Sequence, residues 1–287
     1  MDLFLQQVFN GIMFGSTYAI VALGLTLVMG ILHIPNFAHG HLYMLGGYFM
    51  YFFALTLGLG YWPGVALAVV ALAAAGVIME RFVYRPLNDQ PHINSFIAAV
   101  GSLLFLESFA LVVWGPQGLR IPNPHPQLVY FLGVTMSVQR LVVITGAIVL
   151  ITGLHLFMKK TILGTTIEAV AQNREGAMLA GINVNRVSAM TFAISAGTAA
   201  VAASLISPIF MLSPAMGAIL GMKAFVIVIL GGMGSIPGAI LGGYILGLIE
   251  ALGGGYISAE YKDVFAFGAL ILILAIKPTG LFGKGEV

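Results

Sequence analysis

The chain is a succession of long apolar runs broken by short polar stretches, and the runs are too continuous to be strands. Residues 65–79 and 141–158 are almost wholly apolar. Such runs read as helices of membrane-spanning length and not as the alternating strands of a barrel. Judged against the roughly 20 residues that a spanning helix needs, the pattern predicts about nine segments, with eight as the alternative count. They are 8–31, 38–59, 62–79, 93–114, 141–158, 187–206, 215–231, 238–252 and 264–276. The glycine-rich stretch 216–243 is short and interrupted, as half-helices or re-entrant pieces are. The predicted fold is all-α: a polytopic membrane helical bundle forming a single domain over residues 1–287.

Composition agrees. Hydrophobic residues make up 60% of the chain and charged ones 8%, with a mean hydropathy of +1.03; soluble domains carry about 25% charged residues. No water is available in a bilayer core to satisfy backbone groups, so only a helical bundle or a closed barrel is possible there. Cysteine is absent, which excludes thiolate catalysis, thiolate-held metals and disulfides. The N-terminal MDLFLQQVFNG lacks the basic region of a signal peptide, so the first apolar run is read as a retained span. The net charge of +2 rests on few residues, and no nucleic-acid partner is expected.

The distribution of those charges predicts orientation. Arg81, Arg85, Lys159, Lys160, Arg174, Arg186, Lys277 and Lys284 fall in loops that an even number of segments separates. By the bias of Lys and Arg these loops are cytoplasmic. Arg120, Arg140 and Lys262 then lie outside, as does the N-terminus. The stretch 115–139 is the largest external loop, and its four prolines preclude a regular helix. LGGY occurs at 45–48 and again at 241–244, either an echo of an internal repeat or chance in an apolar chain. The pairs Gly11/Gly15, Gly217/Gly221, Gly234/Gly238 and Gly243/Gly247 permit close approach of helix backbones.

The longest polar island is TILGTTIEAVAQNREGAMLAGINVNRV, residues 161–187. Thr165 and Glu168 stand at capping-box spacing, so a helix is predicted to start there. It would end near Ala180, with Gly181 at the left-handed position that closes helices. About fifteen residues at 1.5 Å each give roughly 22 Å, too charged to cross a bilayer. Ile167, Val170, Ala171 and Met178 form one stripe, and Glu168, Gln172 and Glu175 another. Lipid-binding helices are rich in Lys and Arg on the polar face. This one carries carboxylates and Arg174 alone, a composition suited to a protein partner.

These residues, taken with NFAHG (36–40), ERFVYRPL (80–87), GMKAF (221–225), GGMGSIPGAILGG (231–243) and the ending EYKDVFAFGALILILAIKPTG, resemble the LivH-type permease subunit of branched-chain amino acid ABC importers. The resemblance covers nearly the whole chain in order. It implies a multi-pass protein of the bacterial inner membrane that pairs with a second, paralogous permease. It further implies two cytoplasmic ATPase subunits that bind ATP and Mg, and a periplasmic substrate-binding protein. It implies that 161–187 is the coupling loop resting on an ATPase, through Thr165, Glu168, Gln172, Arg174, Glu175 and Gly181. The chain departs from the E-A-A-x-x-x-G coupling motif of other importers, since Arg174 stands where the glycine would be. Related permeases move urea, short amides or other amino acids, and these remain alternative substrates.

Other chemistry is thin. No G-x-x-x-x-G-K-[ST] occurs, so this chain holds no nucleotide by a P-loop. Nor does it carry G-x-S-x-G or H-E-x-x-H. Lys223 lies between apolar runs, where an ionisable group marks a pathway unless it reaches the interface. Glu107, the other deeply apolar charge, is its expected partner, in a structural or a transporting role. Asn36 is expected to cap a broken helix, with His39 nearby and exposed N–H groups meeting a substrate carboxylate. A stand-alone secondary transporter would carry more intramembrane carboxylates, and an intramembrane enzyme needs a nucleophile and base that the sequence does not supply.

Overall fold

In the computed structural model, which describes residues 2–32, 36–88, 90–131 and 133–282, the bundle contains α1 (Asp2–Leu32), α2 (His39–Tyr51), α3 (Tyr61–Met79), α4 (His92–Trp114) and α5 (Val138–Lys160). Two short surface helices follow, α6 (Ile162–Gln172) and α7 (Arg174–Leu179). The chain then re-enters the bundle as α8 (Val184–Ile206), α9 (Met216–Gly231), α10 (Ile236–Tyr256) and α11 (Lys262–Ile276). Each predicted apolar segment has its helix. Among the described residues, six helices are long and apolar enough to cross a membrane, while α9 is shorter. Between α4 and α5 the chain forms a small antiparallel hairpin, Leu128–Phe131 against Val134–Ser137, with Val129 opposite Met136. Prolines earlier in that loop bar a helix, but the β-branched and aromatic run after them pairs as strands.

Burial sorts the helices into layers. The apolar window of α1 is 89% buried and that of α8 72%, against 11% for α4 and 17% for α5. Small residues put α8 at the centre: AISAGTAAVAAS lets α1, α2 and α3 approach closely. Along α1, Gly11 and Gly15 lie against the backbone of Leu248 and Tyr244, and Gly243 and Gly247 lie against Ala19 and Gly15. Two of the four predicted small-residue pairs, Gly11/Gly15 and Gly243/Gly247, therefore face one another across an antiparallel α1–α10 seam.

Two helices start inside the bundle. His39, the first residue of α2, places Nε2 3.0 Å from the carbonyl of Val21, well within α1. Gly40 packs against Gly217 and Gly221 in the first turns of α9. The interrupted helices predicted near 216–243 thus exist, and α9 crosses α2 at three glycines. Asn36 does not occupy the N-cap of α2; Ala38 does. The Asn36 side chain instead accepts from the Ala38 N–H at 3.2 Å and from the Tyr84 hydroxyl at 2.8 Å, a local turn tied to the end of the third helix.

One end of the bundle gathers the basic loops. Thr26 and Gly30 of α1, His155 and Lys159 of α5, Glu168 of α6 and Ser235 line one cavity of about 340 Å³. At the other end, Gln139 Nε2 donates to the Tyr61 hydroxyl at 2.9 Å and to the Leu205 carbonyl at 2.8 Å. There too Leu119 and Leu212 exchange backbone hydrogen bonds.

Candidate functional site

At the basic end, α5 passes into α6 through a sharp turn at Thr161, which is extended (φ −111°, ψ 150°). Its hydroxyl donates to the Phe157 carbonyl at 2.7 Å and accepts from the Gly164 N–H at 3.0 Å. Gly164 is required here, because a Cβ would lie 2.5 Å from Met158 Cα and Phe157 O. Thr161, not Thr165, is therefore the N-cap. Thr165 lies one turn inside, where its hydroxyl bonds back to the Ile162 carbonyl at 2.9 Å. T-I-L-G lacks the Glu of a capping box, which is why the T-x-x-E spacing one turn later misleads.

The surface helix is also not continuous. Asn173 is extended (φ −153°, ψ 102°), ends α6, and caps α7 by accepting from the Gly176 N–H at 2.7 Å. Gly181 then takes the predicted left-handed conformation, φ +82°, with its N–H bonded to Met178 O and that of Ile182 to Ala177 O. The break turns the inner face. Ile167 and Val170 are buried as expected, but Ala177 replaces Met178 as the inward residue, and Met178 is 50% exposed.

Outward, the helices present Glu168, Gln172 and Glu175 together with Ile162, Leu163 and Leu179, all exposed. Arg174 shares a cleft of about 580 Å³ with Arg85, Asn88, Met178, Asn183 and Asn185. Arg85 is held there by Glu80, whose oxygens accept from Nη2 at 2.6 Å and from Nε at 3.2 Å. Glu80 is completely buried, and Arg85 also donates to Asn185 O. The bidentate pair fixes the guanidinium, and its bond to Asn185 O ties the end of the third helix to the start of α8. Sequence reasoning used Arg85 only for orientation. The signal available was the carboxylate of ERFVYR at an apolar helix end. The surface combines exposed apolar side chains with carboxylates and a two-arginine cleft, which can dock a folded partner of mixed character.

Within the bundle, the predicted Lys223–Glu107 pair does not form. Lys223 Nζ lies 2.8 Å from Glu250 Oε1 and 2.8 Å from Asp263 Oδ1. The Tyr18 hydroxyl donates to Glu250 Oε2 at 2.7 Å, and Nζ donates to that hydroxyl at 3.3 Å. The cluster joins α1, α9, α10 and α11. Lys223 and Glu250 are each 5% exposed. The face of α9 that carries Lys223 turns toward α10, away from α4, which sequence spacing alone cannot reveal.

Glu107 lies instead beside His41, with Oε2 3.5 Å from Nε2. His39 is held between Val21 O and Ser195, whose hydroxyl donates to Gly24 O at 2.7 Å and lies 3.3 Å from Nδ1. Around Asn36 the backbone donors are used locally: Ala38 N–H reaches the Asn36 side chain, His39 N–H reaches Asn36 O, and His41 and Leu42 N–H both reach Ala38 O. Asn36 and His39 therefore build the turn that starts α2 inside the bundle. Among the described residues, no group of three His, Cys, Asp or Glu side chains is placed to hold a metal ion.

Comparison with known proteins identifies the family of the chain. Residues 7–274 match the family model described as branched-chain amino acid transport system / permease component. The high-affinity branched-chain amino acid transport system permease protein LivH of Escherichia coli K12 is 40% identical over 99% of this chain and 97% of its own length. The corresponding BraD of Pseudomonas aeruginosa is likewise 40% identical, with the same coverage of both chains. The permease protein LivM of Salmonella typhimurium is more distant, 26% identical over 92% of this chain and 67% of its own length. No solved structure matches. The family match over residues 7–274 and the 40% identity to LivH and BraD over nearly the whole chain show that this chain belongs to the branched-chain amino acid transport system permease family.

Proposed function

We propose that this chain is a permease subunit of an ATP-driven importer of leucine, isoleucine and valine, resident in the bacterial inner membrane. The observation that carries the reading is the near full-length likeness to LivH and BraD. The α6–α7 surface supports the coupling role, because it is built as a docking element at the end of the bundle that carries the basic loops. In this reading a second permease of the LivM kind completes the translocation path. Two cytoplasmic subunits bind and hydrolyse ATP with Mg, and a periplasmic binding protein delivers the substrate. Those ATPases rest on α6 and α7, with Glu168, Gln172, Arg174 and Glu175 at the contact, while Gly181 and the Asn173 cap hold the shape.

The test is to replace Glu168, Arg174 and Glu175 together with alanine in the tagged complex. Glu168 and Glu175 are exposed and Arg174 is half-buried at the cleft, so the permease itself should fold. We expect the ATPase subunits to be lost on co-purification and leucine uptake to fall by roughly tenfold or more, the scale of a few lost charged contacts. Normal ATPase recovery together with normal uptake would reject the coupling assignment.

A further inference from the structure

We propose that Glu107 and His41 form a binding site for the α-ammonium group of the transported amino acid, on the flank of the bundle where α2 lies against α4 and α9. The proposal rests on the importer reading and gives that reading a substrate contact.

Apolar residues of α4 and α9 flank the site. Near the basic end, Phe37 packs on Phe96 of α4 at 5.5 Å and on Phe225 of α9 at 5.2 Å. Beyond them α4 is largely uncovered, and Ile219 and Met222 of α9 are exposed. Glu107 lies on the flank of α4 that carries Phe96, seven residues before Trp114, or about 10 Å from the end of that helix. Its side chain is 32% exposed, while the His41 beneath it is fully buried.

Unused hydrogen-bonding capacity marks the face of α2 beneath Glu107. Neither ring nitrogen of His41 has a hydrogen-bond partner among the described residues. Buried polar atoms are normally satisfied, so each exception needs an explanation. The Tyr48 hydroxyl, also buried, is without a partner as well. Residues 41 and 48 are seven apart and share a face of α2, so the orphaned atoms form a row leading from the Trp114 end. Tyr48 stacks on Trp114 at 4.8 Å.

At 3.5 Å, the Glu107 carboxylate is within ion-pair range of His41 but beyond a good hydrogen bond. It therefore keeps its acceptor capacity for a ligand. A partly exposed carboxylate in an apolar wall attracts a small cation strongly, because water screens it little. An amino acid carries such a cation on a compact head. The other intramembrane carboxylate cluster is already engaged by Lys223.

The test uses the whole reconstituted complex. Leucine uptake by the unaltered complex is measured first; its absence would count against the importer reading and leave this site to the second measurement. Glu107→Gln keeps the shape and removes the charge. We expect uptake to fall roughly tenfold, as for a lost charge-assisted contact, with assembly and binding-protein-stimulated ATP hydrolysis retained and Glu107→Asp partly restoring transport. Uptake unchanged in the Gln variant overturns the proposal. The second measurement needs no variant: an apolar carbodiimide is applied, and all modification at Glu107 is read by mass spectrometry. Isoamylamine should protect Glu107, and isoamyl alcohol, which has the same skeleton without the charge and does not consume the reagent, should not. Equal modification under both conditions overturns the site even if the Gln variant fails to assemble.

Discussion

Replacing Gly247 with leucine is expected to abolish recovery of folded protein. At this position even a Cβ would meet Gly11 O and Gly15 Cα at 2.6 Å. Both obstacles are backbone, so no side chain can rotate away and the two helices must separate. The same seam is tight from the other side, where a Cβ on Gly15 would lie 2.8 Å from Tyr244 Cα. In a bilayer, helices associate mainly by close packing, because lipid is as apolar as leucine and supplies no hydrophobic drive. Opening the seam by one side chain removes that packing along the longest helix of the molecule. A cost of more than about 4 kcal/mol is expected, in the range reserved for severe overpacking and backbone displacement. Size-exclusion profiles in mild detergent read the outcome. Gly101→Ala and Gly153→Ala are the controls: both glycines are helical with nothing within 4 Å of an added Cβ. These should be neutral or stabilising by up to about 1 kcal/mol, the helix-propensity gain. Equal recovery of Gly247→Leu and the controls would contradict the packing account.

Lys223→Met is expected to be nearly as damaging, for an electrostatic reason. The substitution preserves length and leaves Glu250 buried with only the Tyr18 hydroxyl for a partner. Removing one member of a buried ion pair typically costs about 3–5 kcal/mol, because the remaining charge keeps its desolvation penalty. A marked fall in apparent melting temperature should follow. The double variant Lys223→Met with Glu250→Gln should recover much of the loss, since it removes both buried charges and leaves only Asp263, whose side chain is 46% exposed. By contrast, Glu107→Gln should add independently to Lys223→Met, as groups without shared partners do. Simple additivity for the Lys223–Glu250 pair, or strong coupling of Lys223 to Glu107, would refute the observed pairing.

The contrast between these two predictions shows which information a sequence carries. The helices were legible because a spanning segment must be apolar throughout, and that signal is local and strong. Even the close α1–α10 contact was visible as two small-residue pairs, although not which pair met which. The partner of Lys223 was not legible. Glu107, Glu250 and Asp263 are all acidic, and the choice among them depends on how α9 is rotated in the bundle. The row of orphaned atoms on α2 was hidden for the same reason, since His41 and Tyr48 acquire meaning only once α4 covers them. At the surface the error was local. Three threonines, at 161, 165 and 166, compete for one cap, and Thr161 prevails because the chain turns sharply after Lys160 and Gly164 fits beneath the preceding helix. Asn173 likewise reads as a helix start only when the helix before it is known to have ended. The hairpin at 128–137 was overlooked because the prolines preceding it dominated the reading of the loop.

The break at Asn173 has a mechanical corollary. The piece before it is anchored to the bundle by Ile167 and Val170, whereas the piece after it is one and a half turns long and largely free on its outer side. Two rods joined at a single extended residue can change their mutual angle without either unwinding, so the outer rod is free to follow a docked surface while the inner one stays seated against the bundle. Asn173→Ala removes the side chain that caps α7 and, by favouring one continuous helix, would take that adjustment away.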